Sequence, residues 1–253
     1  MTEAMTLDSY LAAGGVLTNP TNVPPRYRAE LMKLMATFVD SELAGAAGFA
    51  DIINHGPGIK ERIAAAKIVL EKTDHADRVL KIMGEFGADT ERYATHHPWT
   101  ARLDRDDDIG ATRSAHDMRL AVFNYPISGW TDAVIMNLLM SRAVAEQLDE
   151  FSTVSYQPLA EVFRQIAPVE AHHGTLALEG AMKLAEGGEA RQMQSAVDYW
   201  WPRVALSFGG DDPKRFAFLT SIGLRHNQNS ALRERWIKSA SAVVEQLGLS
   251  TPA

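Results

Sequence analysis

A glutamate followed four residues later by a histidine, Glu71-Lys-Thr-Asp-His75, is echoed much further along the chain by Glu170-Ala-His-His173. Side chains three or four residues apart share a helix face, so each pair can aim a carboxylate and an imidazole at one point. His75, Glu170, His173 and Glu42 sit within apolar stripes, and Glu71 lies at the edge of one. An unpaired charge in an apolar interior is costly, so a fold that buries these groups must bring them partners. Long helices packed side by side and projecting polar residues inward meet that demand.

The apolar periodicity supplies such helices. Pro24-Pro25 opens a segment in which Leu31, Met35, Phe38, Val39, Glu42 and Ala46 share a face, and His55-Gly-Pro-Gly58 closes it. A second helix is expected over about 58–87 with Ile68, Lys72, His75, Val79, Ile82 and Phe86 on one side, so Lys72 and His75 point inward together. A polar connection over about 88–126 has room for one short helix, and its length suits a bundle crossover. A third helix starts near Trp130-Thr-Asp132 with Val134, Leu138, Ser141, Ala145 and Leu148 as its inner face, a stripe without a carboxylate. A fourth, over about 158–186, places Ile166, Val169, Glu170, His173 and Ala177 on one face and stops at Gly187-Gly188. Further helical stretches at about 192–208 and 230–247 flank the loop Gly209-Gly-Asp-Asp212. No alternation is long enough for a sheet, so the fold class is all-α.

Composition narrows the function. With 253 residues, 46% of them hydrophobic and 23% charged, the chain can bury a sizeable core as one helical domain over residues 1–253. The absence of cysteine excludes disulfides, iron–sulfur ligation, thiolate zinc sites and a cysteine nucleophile. A net charge of -7 gives no bulk pull toward nucleic acid. The N-terminus lacks the basic and apolar regions of a secretory signal, and apolar stretches fall short of a membrane span, so a soluble cytoplasmic protein without membrane or nucleic acid partners is expected.

Glu42, His75, Glu170 and His173 come from three separate long helices, and a shared polar site explains all four at once. Metal is the usual reason for such a cluster, since imidazole and carboxylate suit iron, manganese and zinc. Two positions depart from a di-iron pattern. Lys72 stands three residues before His75, where a bridging carboxylate is expected, and Ser141 stands on the third helix in place of a terminal one. An ammonium can neutralise two glutamates as a metal does, which opens a metal-free reading. Glu71, on His75's side of the helix, is the replacement ligand to consider, although it also lies toward Lys67 and Arg78 as a salt-bridge partner. His96-His97 read as solvated loop residues, Asp106-Asp107-Asp108 lack calcium-loop spacing, and Tyr199-Trp200-Trp201-Pro202 read as a packing cluster at a helix end.

The ordered set Ser41-Glu42, Lys72-Thr-Asp-His75, Phe123-Asn-Tyr-Pro126, Trp130-Thr-Asp132, Glu170-Ala-His-His173, Trp200-Trp-Pro202, Phe208-Gly209 and Leu232-Arg-Glu-Arg235 resembles the phenylacetyl-CoA epoxidase family of phenylacetic acid catabolism, most of all its catalytic subunit. The resemblance runs from about Tyr27 to the Leu247-Gly248-Leu249 tail. It implies a ferritin-like helix bundle with additional C-terminal helices, an aromatic acyl-CoA substrate, dioxygen activation at two irons, electrons from a separate reductase and assembly with a homologous subunit. Position by position, Glu42, His75, Glu170 and His173 match family ligands, whereas Lys72 and Ser141 replace the helix-two glutamate and helix-three aspartate. The expectation is thus a monooxygenase-type protein of an oligomer. Its metal candidates are Glu42, Glu71, His75, Glu170 and His173, its catalytic candidates Lys72 and Ser141, and its cofactor iron. The alternatives are a mononuclear metal site and a metal-free structural or regulatory subunit in which Lys72 replaces the metal charge.

Overall fold

A computed structural model describes residues 7–95, 98–109 and 117–252. The helices run α1 (Leu7–Ala12), α2 (Pro25–Ile52), α3 (Ile59–Glu85), α4 (Arg92–Thr95), α5 (Trp130–Phe151), α6 (Gln157–Glu186), α7 (Ala190–Leu206), α8 (Pro213–Ser221) and α9 (Asn229–Gln246). No strand occurs among the described residues, and an isolated parallel bridge between Leu17 and Tyr156 ties the N-terminal segment to the start of α6. The all-α expectation holds.

Local sequence sets the helix ends. Pro25 at the first turn of α2 gives up an N–H that has no intrahelical acceptor there. Gly87 and Gly188, at φ +78° and +83°, take the left-handed conformation that stops α3 and α6. Short links fold α2 back on α3 and α5 back on α6, giving two antiparallel helix pairs that meet chiefly along α3 and α6, with α7 and α9 packed on α5.

Two main apolar clusters flank the polar centre. One gathers α5, α7 and α9 around Trp200, Trp201 and Trp236, and the other joins α2, α3 and α6 around Tyr27, Tyr156 and Phe163. The sequence stripes hold for Leu31, Met35, Val39, Ile68, Val79, Ile82, Leu138, Leu148, Ile166 and Ala177, all buried, while Phe38 and Val169 are half-buried. Ala145 departs from expectation and is exposed. It lines a cavity at the α5/α6 seam, because α5 is buried all round from Ala133 to Ser141 and its apolar stripe narrows beyond that. The aromatic run at 199–201 is not at a helix end: Trp200 and Trp201 are buried inside α7, and Pro202 lies within that helix. His96 and His97 fall outside the described residues.

Candidate functional site

Glu42 comes from α2, Lys72 and His75 from α3, and Glu170 and His173 from α6, each turned inward by the stripe that carries it. All five side chains are buried. Lys72 Nζ donates to Glu170 Oε1 at 2.9 Å and to Glu42 Oε1 at 3.1 Å. His75 Nδ1 lies 3.1 Å from Glu42 Oε2 and 3.2 Å from Glu170 Oε1. Glu170 Oε1 also has His173 Nδ1 at 3.4 Å, a proximity without a well-formed hydrogen bond. Pro168, inside α6 two residues before Glu170, removes one helical N–H donor from that turn.

Glu71 occupies the flank. Its Oε2 is 2.7 Å from His173 Nε2 and its Oε1 is 3.6 Å from Lys67 Nζ, so it is both the surface partner and the second contact of a core histidine. It therefore sits one histidine away from the Glu42/Glu170 pair.

The charges balance internally. Burial works against the Lys72 ammonium, but the charges of Glu170 and Glu42 outweigh it and hold its pKa above the ordinary lysine value. Burial likewise opposes an imidazolium at His75, yet its hydrogen bonds to Glu170 and Glu42 push its pKa up to about 9. Desolvation would raise the Glu170 carboxyl, and Lys72, helped by His173 and His75, holds it well below the ordinary range. Glu42 and Glu170 thus face the Lys72 ammonium and the His75 imidazolium in one buried centre.

Glu42, His75 and Glu170 each offer an atom within 4.8 Å of the others, the one such three-residue group of metal-ligating types among the described residues. The position between the two carboxylates already receives the Lys72 ammonium, and His173 Nε2 is committed to Glu71. Ser141 Oγ donates to the Leu138 carbonyl at 2.9 Å, within its own helix.

Two cavities reach the centre. A groove of about 550 Å³ is lined by Phe38, Phe123, Met140 and Phe151 and touches Glu42, with Lys33, Arg215 and Arg225 also along its wall. A smaller cavity of about 320 Å³ lies between α5 and α6, bounded by Ser141, Ala145, Arg164 and Glu170.

Several motif residues serve the scaffold. Asp132 accepts from Arg105 at 2.7 and 3.1 Å, from the Ser128 amide at 2.7 Å and from Trp200 Nε1 at 2.8 Å, so Trp130-Thr-Asp132 and Trp200-Trp-Pro202 are two halves of one clamp. Ser41 Oγ accepts the Leu120 amide at 3.0 Å, anchoring the crossover to α2 beside Glu42. Glu150 holds the backbone at His226 and Asn227. The inner stripe read for α5 carries no carboxylate, and Asp132 and Glu150, buried near the two ends of the helix, lie outside that stripe. The apolar stripe gave no signal for them, because their partners, the Ser128 amide aside, lie far away in sequence.

A family model described as "Phenylacetic acid catabolic protein" matches residues 5–253. The chain is 25% identical over 235 residues, 91% of its own length and 71% of the relative's, to a protein of Escherichia coli (strain K12) named as one of the subunits of 1,2-phenylacetyl-CoA epoxidase.

Proposed function

Because the chain belongs to the phenylacetic acid catabolic protein family, we propose that it serves an oxygenase assembly of the phenylacetyl-CoA epoxidase type as a helical component whose core is locked by Lys72 in place of iron. The observation that carries this reading is the Lys72 ammonium within 3.1 Å of both Glu42 and Glu170. As arranged, these side chains fit an ammonium and not iron. A divalent ion between the same carboxylates would meet a fixed positive charge at close range, and both expected additional carboxylates are missing. The chain contributes its groove, whose aromatic wall suits the ring of an aromatic acyl thioester. A homologous partner supplies the oxygen chemistry and a reductase the electrons.

A second reading, a metal-loaded oxygenase, is favoured by the Glu42, His75 and Glu170 donors within 4.8 Å of one another. It requires Lys72 to leave its present place. Metal analysis of protein purified from iron-supplemented cells, paired with calorimetric titration of phenylacetyl-CoA, separates the two. The lock predicts iron far below one equivalent together with thioester binding. A stoichiometric iron centre with its own electronic spectrum would establish the oxygenase reading instead.

A further inference from the structure

The groove that touches Glu42 has one wall unlike the others. Long helices α2 and α5 form its bundle side, whereas α8 supplies Arg215, Phe216 and Leu219 and contributes no buried residue of its own. Among the described residues the helix that α8 touches most is α1, which is six residues long, and not a helix of the bundle. A segment with so few buried apolar contacts opens at low free energy.

Two surface contacts hold α8 to α2. Arg215 Nη2 donates to Glu30 Oε2 at 2.9 Å with the arginine side chain 55% exposed, and the Arg26 guanidinium lies 3.7 Å over the Phe218 ring. Exposed ion pairs and cation–π contacts are each weak. The two ends of α8 are tethered unequally. After it, the Ser155 amide donates to the Gly223 carbonyl at 2.8 Å and Ser155 Oγ to the Ile222 carbonyl, and Gly223, at φ +68°, packs so closely that a Cβ there would lie 2.8 Å from Ser155 Cβ. Before it, Gly209 is at φ +73° and a Cβ at Gly210 would meet nothing within 4 Å. That loop is tied to α9 by exposed hydrogen bonds, Asn229 Nδ2 to the Gly210 carbonyl at 3.0 Å and the Ser230 amide to Asp211 at 3.1 Å, which water replaces at little cost.

We propose that α8 is a hinged cover for the groove, pivoting on Ile222-Gly223 and swinging away from α2 when Arg215 releases Glu30. Opening admits a ligand to the aromatic wall formed by Phe38, Phe123 and Phe151. Closing lays Phe216 and Leu219 against it and keeps water out. The cover deepens the function proposed above, making ligand entry a gated step, and its role rests on the groove being the binding site.

Thiol labelling tests the motion without any ligand. The chain has no cysteine, so introduced thiols report without background. Ala143→Cys puts a reporter on the groove wall at a position 2% exposed, and Ala181→Cys, at a 0% exposed position on α6, reports global unfolding. Each variant is labelled with dithiobis(nitrobenzoate), and its unfolding equilibrium is fixed by urea denaturation. The groove thiol is expected to react at least about tenfold faster than unfolding allows, and the α6 thiol at the unfolding-limited rate. Adding Arg215→Met should speed the groove thiol roughly two- to fivefold, as loss of one exposed ion pair dictates. Sodium chloride at about 0.5 M should speed the Ala143→Cys chain and leave the Arg215→Met version unmoved, because salt screens the same contact. A groove thiol that reacts only through global unfolding, or as fast as a fully exposed thiol, overturns the cover. So does a rate that either Arg215→Met or salt leaves unchanged. Calorimetric titration with phenylacetyl-CoA is read apart from these rates: absent binding with the labelling pattern intact removes that ligand and keeps the cover.

Discussion

Lys72 Nζ lies 2.9 Å from Glu170 Oε1 across the α3/α6 seam, with both side chains buried. The pair is a core ion pair with a second carboxylate, Glu42, on the same nitrogen. Removing one member of such a group leaves uncompensated charge in the interior, which costs far more than the intact group contributes. Lys72→Met is therefore expected to lose about 3–5 kcal/mol at pH 7. The loss should shrink as pH falls toward 5, because the stranded acids of the variant take up protons while Lys72 keeps Glu170 ionised in wild type. Urea denaturation at the two pH values checks this. An equal deficit at both would assign the loss to packing and not to charge.

His75 gives the opposite pH signature. Its folded pKa is raised to about 9 from an ordinary value of 6.5. A raised imidazole stabilises the fold fully below the unfolded value, and that stability drains away as pH rises through the folded one. Melting temperature should accordingly fall between about pH 6.5 and 9 in wild type and stay flatter in His75→Gln. Thermal scans of both proteins across this window decide the matter, and parallel slopes would remove His75 as their cause.

The helical framework was legible because apolar stripes with period 3.6 report burial directly. Glu42, Lys72, His75, Glu170 and His173 could be placed inward from spacing alone, and all are buried. Their pairing was not legible. Whether Lys72 meets Glu42, Glu170 or both depends on how α2, α3 and α6 are rotated against one another, and no local pattern encodes that. Helix α8 left a fainter trace. It contributes no buried residue, so its stripe is weak, and its marker is the cap itself: Asp212 accepts from the amides of Lys214 and Arg215 ahead of Pro213. Glu71 read as a surface partner of Lys67 and as a possible core contact, and the structure gives it both roles because it sits at the rim of the α3/α6 seam.

The clamp at Asp132 predicts a stability effect remote from the ionic centre. Asp132→Ala removes the acceptor for Trp200 Nε1, Arg105 and the Ser128 amide together. Buried groups left without partners cost about 1–3 kcal/mol each, so a loss of roughly 2–4 kcal/mol is expected for this cluster once relaxation is allowed for. Trp200 fluorescence should shift as its indole loses the carboxylate, while the pH dependence assigned to His75 stays as in wild type. A change in that pH profile would mean the two sites are coupled.

Restoring the missing carboxylates tests whether the pocket still has the shape of a binuclear centre. Lys72→Glu removes the ammonium, and Ser141→Asp adds an acid on α5. A Cβ at Gly174 would lie 3.0 Å from Ser141 Oγ, so α6 presses closely there and a longer side chain at 141 must extend into the 320 Å³ cavity that Glu170 also bounds. That places the new acid on the Glu170 side of the centre. Without metal the double variant gathers four acids beside His75 and should be markedly less stable than wild type. With iron or manganese at about 100 times its dissociation constant, binding restores about 2.7 kcal/mol, a rise in Tm of roughly 5–10 °C. Lys72→Met alone should show no such metal-dependent rise, because it removes the ammonium without adding a ligand. Metal content after dialysis and melting curves with and without manganese supply both readouts. Equal metal content in wild type and the double variant, with no shift in Tm, would show that α5 and α6 now pack too closely to hold two cations.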